Sequence, residues 1–253
     1  MIVTFTDFGW EGPYIGQMEA VLRMRAPQVP VVHLQKDAPS WNPRAAACLL
    51  SHLVAPFPVG TVFLCVVDPG VGTTRRPILL QTSKAWWVGP DNGLMIPAAR
   101  AQGLRAAWTI ASPKEEPSVS FHGRDLFAPA AAGLARGEEP MGAPLAVETL
   151  VGMDWPPVIR EVIYVDGYGN LVTGLPGTEI TPTERIEVGG YRLAHARVFG
   201  DARPGEPFWY VNSMGLVEVA ICCDSATSRL HAGIGSSVVV EGLPGEDADH
   251  KGA

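Results

Sequence analysis

What the chain lacks narrows it first. There are only four cysteines in 253 residues, Cys48, Cys65, Cys222 and Cys223, and they form no CxxC or other metal spacing. They read as reduced core residues of a cytoplasmic protein. HxH, HExxH and DxDxDG patterns are absent, which removes the common dedicated metal sites. GxGxxG, GxxxxGK[ST] and GxSxG are absent too, so neither the familiar phosphate loops nor a hydrolase nucleophile elbow is present. Positive charge is not in excess: 19 Lys and Arg face 26 Asp and Glu, a net charge of −7, so no nucleic-acid partner is expected. No apolar run reaches membrane-spanning length, and Met1 is followed at once by a strand pattern rather than a basic and apolar leader. There is no internal repeat and no low-complexity tract.

What is present is a sizeable apolar fraction, 47%, arranged in short β-branched runs. Thr61 to Val67 is the clearest, in the stretch TVFLCVVDPGVGTTRRP. Such a run predicts a strand buried on both faces. It ends on Asp68, and a Gly-rich loop then delivers Arg75 and Arg76. In open α/β sheets, ligands sit beyond the carboxyl ends of the strands. A carboxylate there, with guanidinium groups close behind, is a site candidate; a plain Asp-Pro-Gly turn with solvated arginines explains the residues equally well.

Along the chain the pattern predicts strands at Ile2–Thr6 and Val29–Leu34, helices near Tyr14–Arg25 and Pro43–Leu53, then strands at Val59–Asp68, Ile78–Thr82 and Trp86–Val88. A helix at Met95–Ala101, a strand at Ala107–Ile110 and a helix at Leu126–Arg136 follow. This alternation predicts an α/β N-terminal domain, residues 1–150, with a largely parallel sheet flanked by helices. Glu138 to Pro157 has no periodicity and reads as a linker. From Val158 short strands separated by turns predict an antiparallel β domain, barrel or sandwich, over residues 158–243. Residues 244–253 read as a disordered tail.

Four strand ends run into Asp closely followed by Gly: Asp7, Asp68, Asp91 and Asp166. Any one is explained as a turn cap; four together point to a polar ligand. Asp166 opens Asp-Gly-Tyr-Gly-Asn170, which offers a carboxylate, an aromatic face and an amide, the groups a nucleoside pocket needs, although a Gly-rich hairpin has the same look. His122, between Phe121 and Gly123 ahead of a helix, is the best catalytic candidate among the six histidines. His33, His52, His195 and His231 lack comparable partners.

TFTDFG, VVDPGVGTTRRP, VGPDNG, SFHGRDLFAPAAA, DGYGNLVT and VNSMGLVEVA, in that order, resemble the S-adenosylmethionine (SAM) hydroxide adenosyltransferases, relatives of the fluorinating and chlorinating SAM enzymes. The resemblance spans residues 1 to about 241. It implies hydrolysis of SAM to adenosine and methionine, with SAM as substrate and no cofactor or metal, in a homotrimer with sites at subunit interfaces. It implies a catalytic set of Asp68, Arg75 and His122. It implies that Asp7 holds the ribose diol, that Tyr14 and Trp41 stand beside the nucleoside, and that Tyr168 and Phe199 sandwich the adenine. Asn170 would contact the base edge, Asp166 the methionine ammonium and Ser213 the region of the carboxylate. Met214 stands where the halogenating relatives carry Arg. Those relatives also carry a hydroxyl aromatic at the position of Asp68 and a serine or small residue at Gly123, so the resemblance favours hydrolysis over halogenation. Two further readings stay open on the residues: a non-catalytic SAM or adenosine sensor, and a metal-dependent phosphohydrolase built on the four aspartates.

Overall fold

Every side chain of Ile2–Thr6 (β1) and Thr61–Val66 (β3) is buried, as an unbroken β-branched run requires. The structure is a computed structural model describing residues 1–111 and 116–241. It divides into two compact units, Met1–Pro157 and Val158–Ala253. Residues 244–253, read as a tail, lie outside the described residues.

The first unit adds α1 (Tyr14–Arg25), β2 (Val31–Gln35), α2 (Pro43–Leu53), β4 (Pro77–Thr82), β5 (Ala85–Pro90), α3 (Ile96–Ala101), β6 (Leu104–Thr109), α4 (Ala128–Ala135) and β7 (Pro144–Leu145). Its sheet runs β2-β1-β3-β5-β4-β6-β7. The α/β reading holds, but the sheet is parallel only from β2 to β5; β4, β6 and β7 pair antiparallel. The reason lies in Ser83-Lys84. Two residues between β4 and β5 make a hairpin, whereas a parallel return needs a crossover of a dozen residues or so. α1 and α4 pack together over Val62, Leu64, Val66 and Val88.

The stretch expected as a linker, Glu138–Pro157, is docked on this unit instead. Pro144–Leu145 pairs with β6. Thr149 O accepts from Arg76 Nη2 at 2.7 Å, and Val151 N donates to Asp91 Oδ1 at 3.0 Å. A Cβ on Gly93 would stand 2.2 Å from the Trp155 ring, so that ring rests on bare backbone. A two-residue strand, short turns and distant side chains together satisfy this segment, which is why no periodicity marks it.

The second unit holds β8 (Val162–Val165), β9 (Leu171–Pro176), β10 (Ile186–Val188), β11 (Tyr191–His195), β12 (Pro207–Val211), β13 (Leu216–Ile221), α5 (Ala226–Leu230) and β14 (Val239–Val240). Its single sheet runs β14-β10-β11-β12-β13-β9-β8. The segment leading into β14 returns to the start of β8: Val162 N donates to Ser236 O at 2.8 Å and Val238 N to Arg160 O at 2.9 Å, with a bridge at Glu161–Ser237. The sheet therefore curls toward a barrel rather than stacking as a sandwich. One pairing departs from the antiparallel expectation: β11 and β12 are parallel. The connection between them carries the 3₁₀ turn Phe199–Asp201 and returns the chain to the same end.

Two readings of single residues are corrected. Cys48 and Cys65 are buried, but Cys222 is half-buried and Cys223 exposed; all four are free. His33 does have partners, Thr4 Oγ1 at 2.7 Å and Glu19 Oε2 at 3.1 Å, and ties β2 to β1 and α1.

Candidate functional site

In the first unit the ends of β1 and β3 are neighbours, with Thr6 opposite Val66. Asp7 and Asp68 follow those ends and line one cleft of about 100 Å³ with Phe8, Trp41, Phe121 and His122. The loop after Asp68 folds back through successive turns: Val71 N donates to Asp68 O at 3.2 Å and Thr73 Oγ1 to Gly70 O at 2.7 Å. That return brings Arg75 onto Asp68 as a two-pronged pair, Nε to Oδ1 at 3.1 Å and Nη2 to Oδ2. Gly72 has φ +77°, and a Cβ there would lie 2.5 Å from Val119 O. The loop thus presses directly against the segment leading to His122. A single wide π-helical turn, Gly123–Phe127, follows His122, where an ordinary helix start was expected.

Arg75 Nη2 also lies 3.1 Å from His122 Nδ1. A guanidinium has no lone pair to offer, so Nδ1 is the acceptor and the ring proton sits on Nε2. Burial, and then the nearby Arg75 charge, hold the His122 pKa below the ordinary histidine value, in agreement with a neutral ring. Asp68 and Arg75 side chains are 5% and 7% exposed. Burial raises the Asp68 pKa although Arg75 opposes it. Asp7 is pushed up to about 6, mainly by burial, with the Asp68 charge adding to it. Arg75 Nη1 is buried and has no hydrogen-bond partner among the described residues. Phe127 lies under the guanidinium, 5.3 Å from ring centre to carbon.

Trp41 stands just ahead of Asn42, whose side chain caps α2 by accepting from Ala45 N at 3.0 Å. Its φ of +62° and 81% exposure present the indole at the cleft as an open flat face. Tyr14 is not part of the lining; it packs edge-on against Phe121 at 5.3 Å and against Phe8 at 5.9 Å.

The second unit has its own cavity, about 700 Å³, lined in part by Asp166, Tyr168, Asn170, Phe199, Tyr210 and Glu218. Asp166 shapes the loop that carries Tyr168: Oδ1 accepts from Tyr168 N at 2.9 Å and Asn170 N at 2.8 Å, and Oδ2 from Asn170 Nδ2 at 3.0 Å. Gly169 has φ +83°, and a Cβ there would meet Ser225 Oγ at 2.2 Å, so only glycine lets this loop lie against the α5 cap. Tyr168 is 84% exposed. Phe199 packs edge-on against Phe208 and Tyr210. Ser213 is exposed in the turn before β13 and does not line the cavity.

Asp91 does not join either site. Its carboxylate is spent on Arg76 Nε at 2.7 Å and on Val151 N, a structural anchor. Sequence reasoning passed over Tyr210 and Glu218. Tyr210 OH donates to Glu218 Oε1 and Asn212 Nδ2 to Oε2 at 2.8 Å. Burial and the Glu218 bond raise the Tyr210 pKa. The signal was a glutamate inside an otherwise apolar, fully buried strand, LVEVAI. Among the described residues no three of His, Cys, Asp and Glu gather as a metal site.

The first site is thus a small charged cleft and the second a larger aromatic cavity with amide and carboxylate groups. The family model of the SAM hydroxide adenosyltransferase N-terminal domain matches residues 2–143, and that of its C-terminal domain residues 160–239. The chain is 39% identical to the (R)-S-adenosyl-L-methionine hydrolase of Thermus thermophilus over 242 residues, 89% of this chain and 93% of that protein. It is 25% identical to the fluorinase of Nocardia brasiliensis across 95% of this chain and 96% of that one. Its fold superposes on the crystal structure of an uncharacterized conserved protein from Thermotoga maritima with a TM-score of 0.84, at 32% identity, covering 95% of this chain and 100% of that one. The chain belongs to the SAM hydroxide adenosyltransferase family.

Proposed function

We propose that the protein hydrolyses S-adenosyl-L-methionine to adenosine and L-methionine by in-line attack of an activated water on C5′. The observation that carries this is Arg75, which joins Asp68 and His122 in one buried cluster beside Asp7. The sulfonium of SAM lets methionine leave as a neutral thioether, so the leaving group needs no acid. The work left to the protein is to hold water in line, exclude bulk solvent and take one proton. Near-attack positioning of well-oriented reactants contributes about 7–11 kcal/mol at its upper end.

In this reading Asp68 takes the proton. His122 Nδ1 is occupied by Arg75 and its Nε2 already bears hydrogen, so the ring donates rather than accepts. Asp68 has a raised pKa and, beside its bonds from Arg75 and Gly70 N, one lone-pair position left, which suits a base working near neutrality. Arg75, paired with Asp68 and beside His122, is the positive charge that opposes the negative charge developing on the oxygen. Asp7 accepts the ribose hydroxyls and Trp41 flanks the sugar. Tyr168 and Phe199 enclose the adenine, with Asn170 at its edge, while Asp166 and Ser213 lie toward the methionine end. Tyr14, half-exposed and packed against Phe8 and Phe121, stands beside the nucleoside.

Gly123 supports hydrolysis over halide transfer. A Cβ there would stand 3.1 Å from Phe8 and 3.2 Å from Phe121, so a serine contact for an anion would need those rings to give way. The Asp68 carboxylate repels a halide in addition. Against a phosphohydrolase, Asp91 is committed to Arg76, and a chelator would leave the rate unchanged. We assign a homotrimer with the active sites at subunit interfaces, each unit contributing one of the two half-sites, and a cytoplasmic location, in keeping with four free cysteines. No helix among the described residues is long and apolar enough to cross a membrane.

The test is to incubate the purified protein with SAM in ¹⁸O-labelled water. Adenosine carrying label at the 5′-oxygen, with methionine in equal amount, is the expected outcome. Recovery of SAM unchanged, or of unlabelled adenosine, defeats the reading. Size determination in solution tests the trimer.

A further inference from the structure

β13 ends at Ile221, and the chain reverses at once. Asp224 N donates to Ile221 O at 3.3 Å, and the same two residues form an isolated bridge. The two residues at the centre of that turn are both cysteines, and Cys223 has φ +62°, a conformation that turns of this kind usually give to Gly or Asn. The turn holds the thiols together: Cys222 Sγ and Cys223 Sγ are 3.8 Å apart. Cys222 is half-buried and Cys223 exposed. The other two cysteines are out of reach of solvent oxidants; burial pushes the Cys48 thiol up to about 11 and that of Cys65 higher still. Cys223 lines the second-unit cavity, next to Asp224 and Ser225.

We propose that Cys222 and Cys223 form an oxidisable dithiol that a hydroperoxide closes to a disulfide, and that closing it reshapes the wall of the second-unit cavity. In the first step a cysteine thiolate attacks the peroxide oxygen, giving a sulfenic acid and releasing hydroxide, which takes up the thiol proton as water. In the second, the neighbouring thiol displaces the sulfenic oxygen as a second water and the S–S bond forms. Two thiols and one H₂O₂ give one disulfide and two waters; each sulfur loses one electron and the peroxide gains two. A resolving thiol in van der Waals contact is the arrangement that favours the second step over further oxidation.

The coupling to the cavity is short. Bonded sulfurs lie about 2.05 Å apart, and the two α-carbons, about 3.8 Å apart across one peptide bond, are nearer than in ordinary disulfides. The turn must therefore shift to close. Ser225, two residues on, is the atom group against which Gly169 is pressed, and Thr227 N donates to Gly169 O at 2.9 Å. Gly169 sits between Tyr168 and Asn170. Movement of the 222–225 turn is passed to those two residues.

The cavity effect rests on the nucleoside reading given above; the dithiol chemistry does not. The test treats the reduced full-length protein with a small excess of hydrogen peroxide and follows intact mass, peptide map, adenosine affinity and SAM turnover together. The expected mass change is a loss of about 2 Da, mapped to a linked Cys222–Cys223 peptide and restored by dithiothreitol. The expected functional change is adenosine binding and KM weakened by about fivefold or more with kcat little altered. Cys222→Ser, with Cys222→Ala as a second variant, should bind and turn over as the parent does and keep its KM after peroxide. Gain of oxygen at the thiols without the 2 Da loss overturns the dithiol. A mapped disulfide with unchanged adenosine affinity overturns the coupling. If the reduced protein neither binds adenosine nor consumes SAM, the nucleoside reading has failed, and the mass change still decides the dithiol.

Discussion

The candidate sites of the two units are built from different materials. The first-unit cleft is small and charged, with a buried carboxylate and guanidinium and a neutral imidazole locked together by Arg75. The second-unit cavity is about seven times larger, and it adds the aromatic faces of Tyr168, Phe199 and Tyr210 and the Asn170 amide to the carboxylates of Asp166, Glu218 and Asp224. Ionised groups in a buried setting act strongly on charge that develops during a reaction. Aromatic faces and amides act on shape and base edges, which are the same before and during it. The difference predicts that damage to the first unit appears in kcat and damage to the second in KM.

The largest expected effect is at Asp68. Asp68→Asn should lower kcat by roughly 10²–10⁴-fold, the usual contribution of general acid–base groups, with adenosine affinity unchanged. Single-turnover kinetics with an adenosine titration checks both halves; weakened adenosine binding with intact kcat would reverse the division of labour. Next is Tyr168→Ala. Loss of one stacking face costs about 1–3 kcal/mol, so KM should rise on the order of tenfold while kcat holds. A fall in kcat alone would place the reacting carbon near Tyr168 and break the comparison.

Acid sensitivity sharpens it further. Asp7 and Asp68 both have raised pKa values, Asp7 about 6, and each must be ionised to act. As pH falls through about 6, Asp7 gains its proton and loses the charge proposed to accept the ribose hydroxyls. kcat/KM should therefore drop on the acid side, since that ratio reports groups of the free enzyme. Asp7→Asn should lower the plateau and remove one proton from the slope; an unchanged acid limb would show that Asp7 is not the titrating group. The smallest effect is expected at Tyr210→Phe, which removes one hydrogen bond to Glu218. It should cost about 0.5–1.5 kcal/mol of stability by thermal or urea unfolding, with a modest rise in KM.

Much of this was legible in the residues. Strand runs such as Ile2–Thr6 and Thr61–Val66 are recognisable because burial on both faces demands unbroken β-branched sequence. The Asp-and-Gly corners pointed to the cleft of the first unit and the cavity of the second, since a carboxylate at a strand end needs a nearby glycine to turn. The same rule could not separate Asp91 from Asp7 and Asp68. Only the partners differ, Arg76 and Val151 N for Asp91, and neither lies near it in sequence. Glu138–Pro157 read as a linker because its backbone is satisfied by a two-residue strand, short turns and distant side chains, which leave no local period.

The sequence by itself determined the α/β and β character of the two units, the family, and the residue types that do the chemistry, because these follow from local periodicity and from motifs a few residues long. The tertiary structure decided which groups are ionised and which are neutral. That Arg75 takes the lone pair of His122 Nδ1 as well as both oxygens of Asp68, and that Cys222 and Cys223 meet at the rim of a cavity and not in the core, are facts of distance and burial. They depend on how loops far apart in the chain are brought together, and no local pattern encodes that.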